Sequence, residues 1–120
     1  LLVVDGYNLA RARWSQLAPE EERRRTVALL EDLQARSAGT VVVVFDGDDS
    51  VAAPAASRSV RVRFSATGQT ADEAIAALVA GVPDAQPVVV VSSDREVADD
   101  ARRLGAVALS SPDLLAAAGR

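Results

Sequence analysis

The sequence Leu1-Leu2-Val3-Val4-Asp5-Gly6-Tyr7-Asn8 decides how the rest of the chain is interpreted. Four consecutive apolar residues without polar alternation are typical of a strand buried on both faces, as in a parallel sheet covered by helices. In open α/β sheets the ligand crevice lies at the carboxyl ends of the strands, so the pattern predicts Asp5 at the floor of that crevice. Gly6 then allows the chain to turn away.

The same pattern occurs twice more. Val41-Val42-Val43-Val44-Phe45 runs into Asp46, and Val88-Val89-Val90-Val91-Ser92-Ser93 runs into Asp94. Three such strands would gather three carboxylates at one edge of one sheet. Gathered carboxylates repel one another, and a divalent metal relieves that repulsion. The sequence therefore predicts an acidic metal site at this edge.

The remaining patterns predict an α/β domain. Helices are expected from Pro19 to about Ser37, where Gly39 ends the helix, from Thr70 through Leu78, from Asp94 to Leu104 and from Ser111 through Ala118. Strands are expected at 40–45, 60–64, 87–92 and 106–109. Loops are expected at 9–18, 47–59, 65–69 and 81–86. Alternating strands and helices indicate a mostly parallel, five-stranded sheet with right-handed crossovers.

The residue composition excludes several kinds of catalytic site. The chain has 120 residues, 49% of them hydrophobic, and is expected to form a single domain, 1–120, excised from a longer protein. It contains no cysteine and no histidine, which excludes a Ser-His-Asp triad and an imidazole metal ligand. All 13 basic residues are arginine, which excludes a P-loop lysine and a Schiff base. Carboxylates must therefore carry any catalysis.

Charge and hydropathy bear on partners and location. A net charge of −4 argues against a nucleic-acid partner, because phosphate contacts need positive potential. That argument is weak, since metal ions would offset several of the 17 acids and arginine clusters could form a positive rim. No apolar run approaches the roughly 20 residues that span a bilayer. We expect a cytoplasmic protein with no membrane partner.

Several residues have a structural and a functional interpretation. Thr70 and Glu73 form a capping-box pattern, so Asp72 is either a dipole complement at the start of a helix or a ligand that points into the crevice. Asp94 could be an N-cap alone. Val60-Arg61-Val62-Arg63-Phe64 alternates with period 2, which predicts an edge strand. Its arginines either protect that edge or bind a polynucleotide backbone.

Two other features favour the structural interpretation. The run Arg23-Arg24-Arg25 could track phosphates, but three consecutive charges point in different directions around a helix, so a solvated face paired with nearby acids is favoured. Trp14, in the predicted loop 9–18, is interpreted as a core or lid anchor rather than a base-stacking platform.

Taken together, the four acids favour one site. Asp5, Asp46 and Asp94 end three strands and Asp72 begins a helix, so all four are expected to be catalytic and to bind Mg²⁺ or Mn²⁺ through oxygen alone. Such a site suits hydrolysis of a phosphodiester. The candidate substrate-binding residues are the neighbouring polar side chains and three arginines: Asn8, Thr70, Ser93, Arg61, Arg63 and Arg95.

Four motifs resemble the YacP-like branch of the NYN domain family, within the PIN-like nuclease superfamily. They are Val4-Asp5-Gly6-Tyr7-Asn8, Val44-Phe45-Asp46-Gly47, Gln69-Thr70-Ala71-Asp72, and Ser92-Ser93-Asp94 with Gly105 downstream. The resemblance implies a Rossmann-like three-layer sandwich with strand order 3-2-1-4-5 and metal-dependent cleavage of RNA. The implied partner is single-stranded or messenger RNA, with presentation by the ribosome left open.

This chain departs from the family pattern at two positions. Many relatives have an acid just before the Thr-Ala-Asp sequence, where this chain has Gln69. Many PIN-like proteins have a second acid in the loop that contains Asp94, and Glu96 stands there in this chain. The affinity for metal and the number of ions bound depend on these two positions.

Other classes of protein fit less well. A non-catalytic RNA-binding or adaptor module of the same fold is the main alternative to an endoribonuclease. A receiver-like domain would need a lysine after the last strand, and the chain contains none. A haloacid-dehalogenase-type phosphatase would need a second acid two residues after Asp5, where Tyr7 stands.

Overall fold

The fold is an α/β sandwich in a computed structural model that describes residues 1–47 and 57–119. The strands are β1 (Leu2–Asp5), β2 (Val41–Phe45), β3 (Val60–Phe64), β4 (Val89–Val91) and β5 (Val107–Leu109). The helices are α1 (Gly6–Arg13), α2 (Pro19–Ser37), α3 (Ala71–Ala80), α4 (Arg95–Arg103) and α5 (Ser111–Ala118).

The five strands form one parallel sheet in the order β3-β2-β1-β4-β5. β1 lies at its centre and pairs with β2 on one side and β4 on the other, with Val4 opposite Val43 and Val91. Because all strands run in the same direction, Asp5 and the residues that follow β2 and β4 reach the same edge of the sheet. The predicted sheet and strand order are confirmed.

Helices cover both faces of this sheet. One core contains Val3 and Val42 of the sheet packed against α3 and α4 through Ile75 and Val97, all at most 3% exposed. The core on the other face holds the alternate strand residues together with apolar side chains of α1, α2 and α5. The uninterrupted valine runs are explained by this two-sided cover, since every side chain of β2 is buried.

The edge strand β3 confirms the prediction from its period-2 pattern. Val60 is buried, whereas Arg61 and Arg63 are exposed, and among the described strands β3 pairs with β2 alone. The predicted loop 47–59 lies largely outside the described residues, which omit 48–56. Within the described ranges, no helix is long and apolar enough to cross a membrane.

Two local predictions were wrong. The segment predicted as the loop 9–18 begins inside a helix, because α1 starts at Gly6 and continues to Arg13. The sequence pattern does not reveal this helix, because only two of its side chains within the predicted loop are fully buried. These are Leu9 and Ala10, which are adjacent and therefore give no helical period. The residue that ends α2 is Ala38, with φ of 57°, and not Gly39.

Candidate functional site

A cleft of about 840 Å³ lies at the edge where the strands end. Its lining comes from the end of β1, from the residue after β2, from α1, and from the N-terminal parts of α2, α3 and α4. All four aspartates predicted from the sequence line this cleft, as do two of the predicted polar residues: Asp5, Asp46, Asp72, Asp94, Asn8 and Thr70.

Asp5 is the last residue of β1 and lines the cleft. The Ser92 hydroxyl donates a hydrogen bond of 2.9 Å to its Oδ2. Burial raises the pKa of Asp5, an effect that the hydrogen bond from Ser92 opposes. Repulsion from Asp94 and Asp46 raises the pKa further, whereas the Arg11 charge lowers it. Asp5 is therefore a partly desolvated carboxylate that is repelled by its acidic neighbours.

Asp94 caps a helix and also lines the cleft. As the N-cap of α4, its Oδ1 accepts a hydrogen bond of 2.9 Å from the Glu96 backbone N–H. Its own backbone N–H donates to the Ser92 hydroxyl at 3.0 Å. The second carboxylate oxygen has no such cap contact, and the side chain is exposed in the cleft. One serine hydroxyl thus links Asp5 to the backbone of Asp94.

Asp46 follows β2 and is held by a separate hydroxyl. Ser65, which is 6% exposed, donates from Oγ to Asp46 Oδ1 at 3.0 Å and accepts from the Gly47 backbone N–H at 2.9 Å. A Cβ on Gly47 would lie 2.7 Å from the Ser65 carbonyl oxygen, so the close approach of the chains beside Asp46 requires glycine.

Asp72 lies in the first turn of α3. The capping box forms as predicted, because the Thr70 Oγ1 accepts from the Glu73 N–H at 3.1 Å and the Glu73 carboxylate accepts from the Thr70 N–H at 3.2 Å. Asp72 Oδ1 is buried and has no hydrogen-bond partner in the described part of the chain. Burial raises the pKa of Asp72, followed by repulsion from Glu96 and Asp94 and smaller contributions from Asp5 and Glu73.

The chemistry of these donors fits a hard divalent cation. All are carboxylate oxygens, and Asp72 Oδ1 has no hydrogen-bond partner among the described residues. Burial and repulsion from neighbouring acids raise the pKa of Asp5 and that of Asp72, and a bound cation would oppose both effects. Among residues 1–47 and 57–119, however, no three acidic side chains already lie in the arrangement that holds a metal ion. The four acids line one cleft but are not grouped around a common point in the described part of the chain.

Asn8 connects three elements beside the cleft. Its Oδ1 accepts hydrogen bonds from the Ser111 hydroxyl at 2.7 Å and from the Ser93 N–H at 2.9 Å. Ser93 Oγ in turn accepts from the Ser111 N–H at 3.1 Å. The side-chain oxygens of Asn8 and Ser93 are therefore used to fix β4 and α5 against α1. Ser93 does not line the cleft.

The three predicted arginines lie elsewhere. Arg61 and Arg63 line two surface grooves along β3, of about 660 Å³ and 370 Å³, and neither lines the acidic cleft. Arg95 is exposed at the first position of α4 and does not line the cleft either. A substrate would have to extend beyond the acidic cleft to reach them.

Sequence reasoning did not assign Tyr7, Arg11, Arg23 or Glu96 to the cleft, although all four line it. Glu96, noted as a departure from the family pattern, and Glu73 bring the acids that line the cleft to six. Gln69, the other departure, has a structural use, because its Oε1 accepts from the Ala66 N–H at 3.0 Å and closes the turn before α3.

Fold and cleft together define a nuclease-like α/β domain. The model of the YacP-like NYN domain matches residues 2–119, and the chain belongs to that family.

Two solved structures are similar to this chain. The crystal structure of Rae1 (YacP) from Bacillus subtilis has a TM-score of 0.83 and 29% sequence identity, and the match covers 99% of this chain and 73% of that chain. A tryptophan-to-leucine mutant of the same protein gives a TM-score of 0.80 and 30% identity, and covers 98% and 73%. A comparison with curated proteins gave no match.

Proposed function

We propose that the protein is a metal-dependent endoribonuclease that hydrolyses phosphodiester bonds of RNA. The observation that carries this proposal is the convergence of Asp5, Asp46, Asp72 and Asp94, from four separate elements, on one cleft of a nuclease-like fold. The raised pKa values of Asp5 and Asp72 support it, because they reflect repulsion and desolvation that a bound cation would relieve.

The four aspartates are proposed to hold Mg²⁺ or Mn²⁺. When bound, such an ion activates water and neutralises the charge that develops on the phosphate oxygens. Ser92 and Ser65 orient Asp5 and Asp46 through single hydrogen bonds, and the capping box fixes the turn that presents Asp72. Orientation of acidic ligands by such neighbouring groups is common in metal sites.

The substrate is proposed to be single-stranded or messenger RNA. The exposed arginines Arg61, Arg63 and Arg95 supply positive charge outside the cleft, where a backbone that runs on from the site would meet them. A cytoplasmic location is part of this proposal.

The test is cleavage of a single-stranded oligoribonucleotide by the purified protein in Mn²⁺ or Mg²⁺. We expect cleavage that EDTA abolishes, and a loss of at least about 100-fold in Asp5→Asn. Asp84→Asn is the matched control, because Asp84 is an exposed carboxylate in the turn before β4. Equal cleavage by Asp5→Asn and Asp84→Asn, or cleavage that survives excess EDTA, would refute the proposal.

One observation favours a second candidate, a non-catalytic RNA-binding module. No three acids in the described ranges form a ready metal-binding group. This alternative predicts that the protein retains RNA in a filter-binding assay and does not cleave it in any divalent metal. The binding would weaken steeply with salt concentration, as phosphate contacts do.

A further inference from the structure

We propose that Arg23, held in place by Tyr7, contacts a backbone phosphate of RNA bound in the acidic cleft. This inference rests on the proposed function, because it assigns part of the substrate contact to the wall of the same cleft. Arg23 belongs to α2, on the opposite side of the cleft from the acids of α3 and α4.

Arg23 differs from the arginines beside it on the helix. Arg24 and Arg25 both form ion pairs with Glu21, the latter at 2.8 Å between Nε and Oε1. Arg24 and Arg25 therefore form the solvated face, paired with an acid, that was predicted for the whole run 23–25. Arg23 instead lines the cleft and is only partly exposed.

The charge of Arg23 has no acidic partner among the residues that the structure describes. The other cation in the cleft wall, Arg11, lies 3.3 Å from the carboxylate of Glu22, a side chain that is 7% exposed. Arg11 is therefore paired with a buried acid, whereas the Arg23 guanidinium lines the cleft without a carboxylate partner in the described part of the chain. An anion is the ligand that such a charge attracts.

Tyr7 fixes the direction of this charge. The Arg23 Nη1 donates a hydrogen bond of 2.8 Å to the Tyr7 hydroxyl. The Tyr7 ring packs against Phe45 with centroids 5.0 Å apart, and the Arg11 guanidinium lies 5.1 Å from the ring centroid on its face. These two contacts restrict the Tyr7 ring, and the hydrogen bond to its hydroxyl in turn restricts the Arg23 guanidinium.

The remaining N–H groups of Arg23 suit a phosphate. A guanidinium has five N–H donors, and one bond to a hydroxyl leaves a fork that matches two phosphate oxygens. The cleft then has an acidic floor for cations and one unneutralised arginine on its wall for the phosphate of a neighbouring nucleotide. This arrangement would hold the polynucleotide on both sides of the phosphodiester bond that activated water hydrolyses.

The experiment measures binding of a fluorescent single-stranded oligoribonucleotide in Mg²⁺ at several salt concentrations, in the Asp5→Asn background to prevent turnover. Adding Arg23→Gln should weaken binding on the order of tenfold and reduce the log-log salt slope by about 0.7, the value for one phosphate contact to a single strand. Arg24→Gln, one residue away and paired with Glu21, should change neither.

Tyr7→Phe tests the positioning role separately. The ring and its packing remain, and the charge of Arg23 remains, so the salt slope should stay unchanged while the affinity falls several-fold. In the turnover assay of the otherwise native protein, Arg23→Gln should raise KM with little change in kcat, because a remote phosphate contact acts on binding.

The outcomes separate the two proposals. If the native protein cleaves RNA but Arg23→Gln matches Arg24→Gln in slope and KM, the role of Arg23 is overturned and the nuclease proposal stands. If the native protein binds RNA without cleaving it and the slope still depends on Arg23, the phosphate contact stands and the nuclease proposal fails. If Arg23→Gln unfolds the protein, the RNA affinity of Tyr7→Phe becomes the test. A several-fold loss of affinity supports the inference, and an unchanged affinity overturns it.

Discussion

The Ser92 hydroxyl donates its hydrogen bond to Asp5, 87 residues earlier in the chain, and so joins the ends of two neighbouring strands in the cleft. The same oxygen accepts from the backbone of Asp94. Asp5 and Asp94 are thereby set in a fixed relation by one buried side chain that is 4% exposed. The acids of this site are positioned by neighbouring hydroxyls as much as by the strands that end in them.

Ser92→Ala is expected to shift the pH dependence of cleavage. The hydrogen bond from Ser92 favours ionised Asp5, so its removal raises the pKa of Asp5 further. The acidic limb of the rate profile should therefore move to higher pH, and the rate at neutral pH should fall on the order of tenfold. Ser59→Ala, at an exposed position before β3, serves as the control. An unmoved acidic limb in Ser92→Ala would contradict this role.

Replacing the half-buried acids Asp5 and Asp72 with amides should stabilise the metal-free protein at neutral pH. The pKa of Asp5 and that of Asp72 are raised above 3.8, so the folded state holds these protons more tightly than the unfolded state does. Ionisation of these two groups therefore opposes folding. This unfavourable effect on the unfolding free energy becomes smaller as the pH falls from neutral toward 3.8 and the groups take up protons. Asp5→Asn and Asp72→Asn should each raise Tm by a few degrees in EDTA.

Bound metal should make the native protein more stable than Asp5→Asn, the reverse of the ranking of Tm values expected in EDTA. Mg²⁺ or Mn²⁺ stabilises the state that binds it, so Tm of the native protein should rise with metal concentration and Tm of Asp5→Asn should rise much less. Asp84→Asn should behave like the native protein in both conditions, since its carboxylate lies outside the cleft. Thermal unfolding scans in EDTA and in Mg²⁺ or Mn²⁺ measure Tm of the native protein and of both variants. A lower Tm for Asp5→Asn in EDTA would mean that its charge stabilises the fold.

Gly6→Ala should damage both the fold and the site. A Cβ on Gly6 would lie 2.4 Å from the Phe45 ring, which is fully buried and cannot move away freely. We expect a loss of about 1–3 kcal/mol in unfolding free energy and a displacement of Asp5, the preceding residue. Gly39→Ala is the matched control, because nothing lies within 4 Å of the Cβ position there. Equal denaturation midpoints for the two variants would contradict the account of Gly6.

Thr70→Ala should test the placement of Asp72. Loss of the N-cap hydroxyl removes one half of the capping box and should cost about 1 kcal/mol in urea denaturation. Because Asp72 lies in the first turn of the same helix, metal-dependent activity should fall more than stability alone explains. Thr70→Ser keeps the hydroxyl and should retain both. A Thr70→Ala variant with native activity would show that the cap does not position Asp72.

The strands and their acids were predictable because the physical signal is local. An unbroken valine run identifies a strand covered on both faces, and the residue after it reaches the functional edge of a parallel sheet. This reasoning placed Asp5, Asp46 and Asp94, and the capping-box pattern placed Asp72.

Features that depend on tertiary packing were not predictable. The eight residues of α1 would be marginal as an isolated helix and are stabilised by burial of Leu9 and Ala10 against neighbouring helices. The direction of Arg23 toward the cleft depends on where α2 lies relative to Tyr7, a contact between residues 16 positions apart. Three consecutive arginines look alike in a sequence, and only the packing of the helix distinguishes them.

The direct test of the central claim is a crystal soaked in Mn²⁺ and measured at an energy where manganese scatters anomalously. The account predicts an anomalous peak in the cleft, at about 2–2.6 Å from carboxylate oxygens of Asp5 and Asp94, with Asp72 turned toward it. A peak that disappears in Asp5→Asn crystals would support the assignment of ligands. A cleft without a peak at saturating Mn²⁺, or a peak bound only by acids outside the cleft, would contradict it.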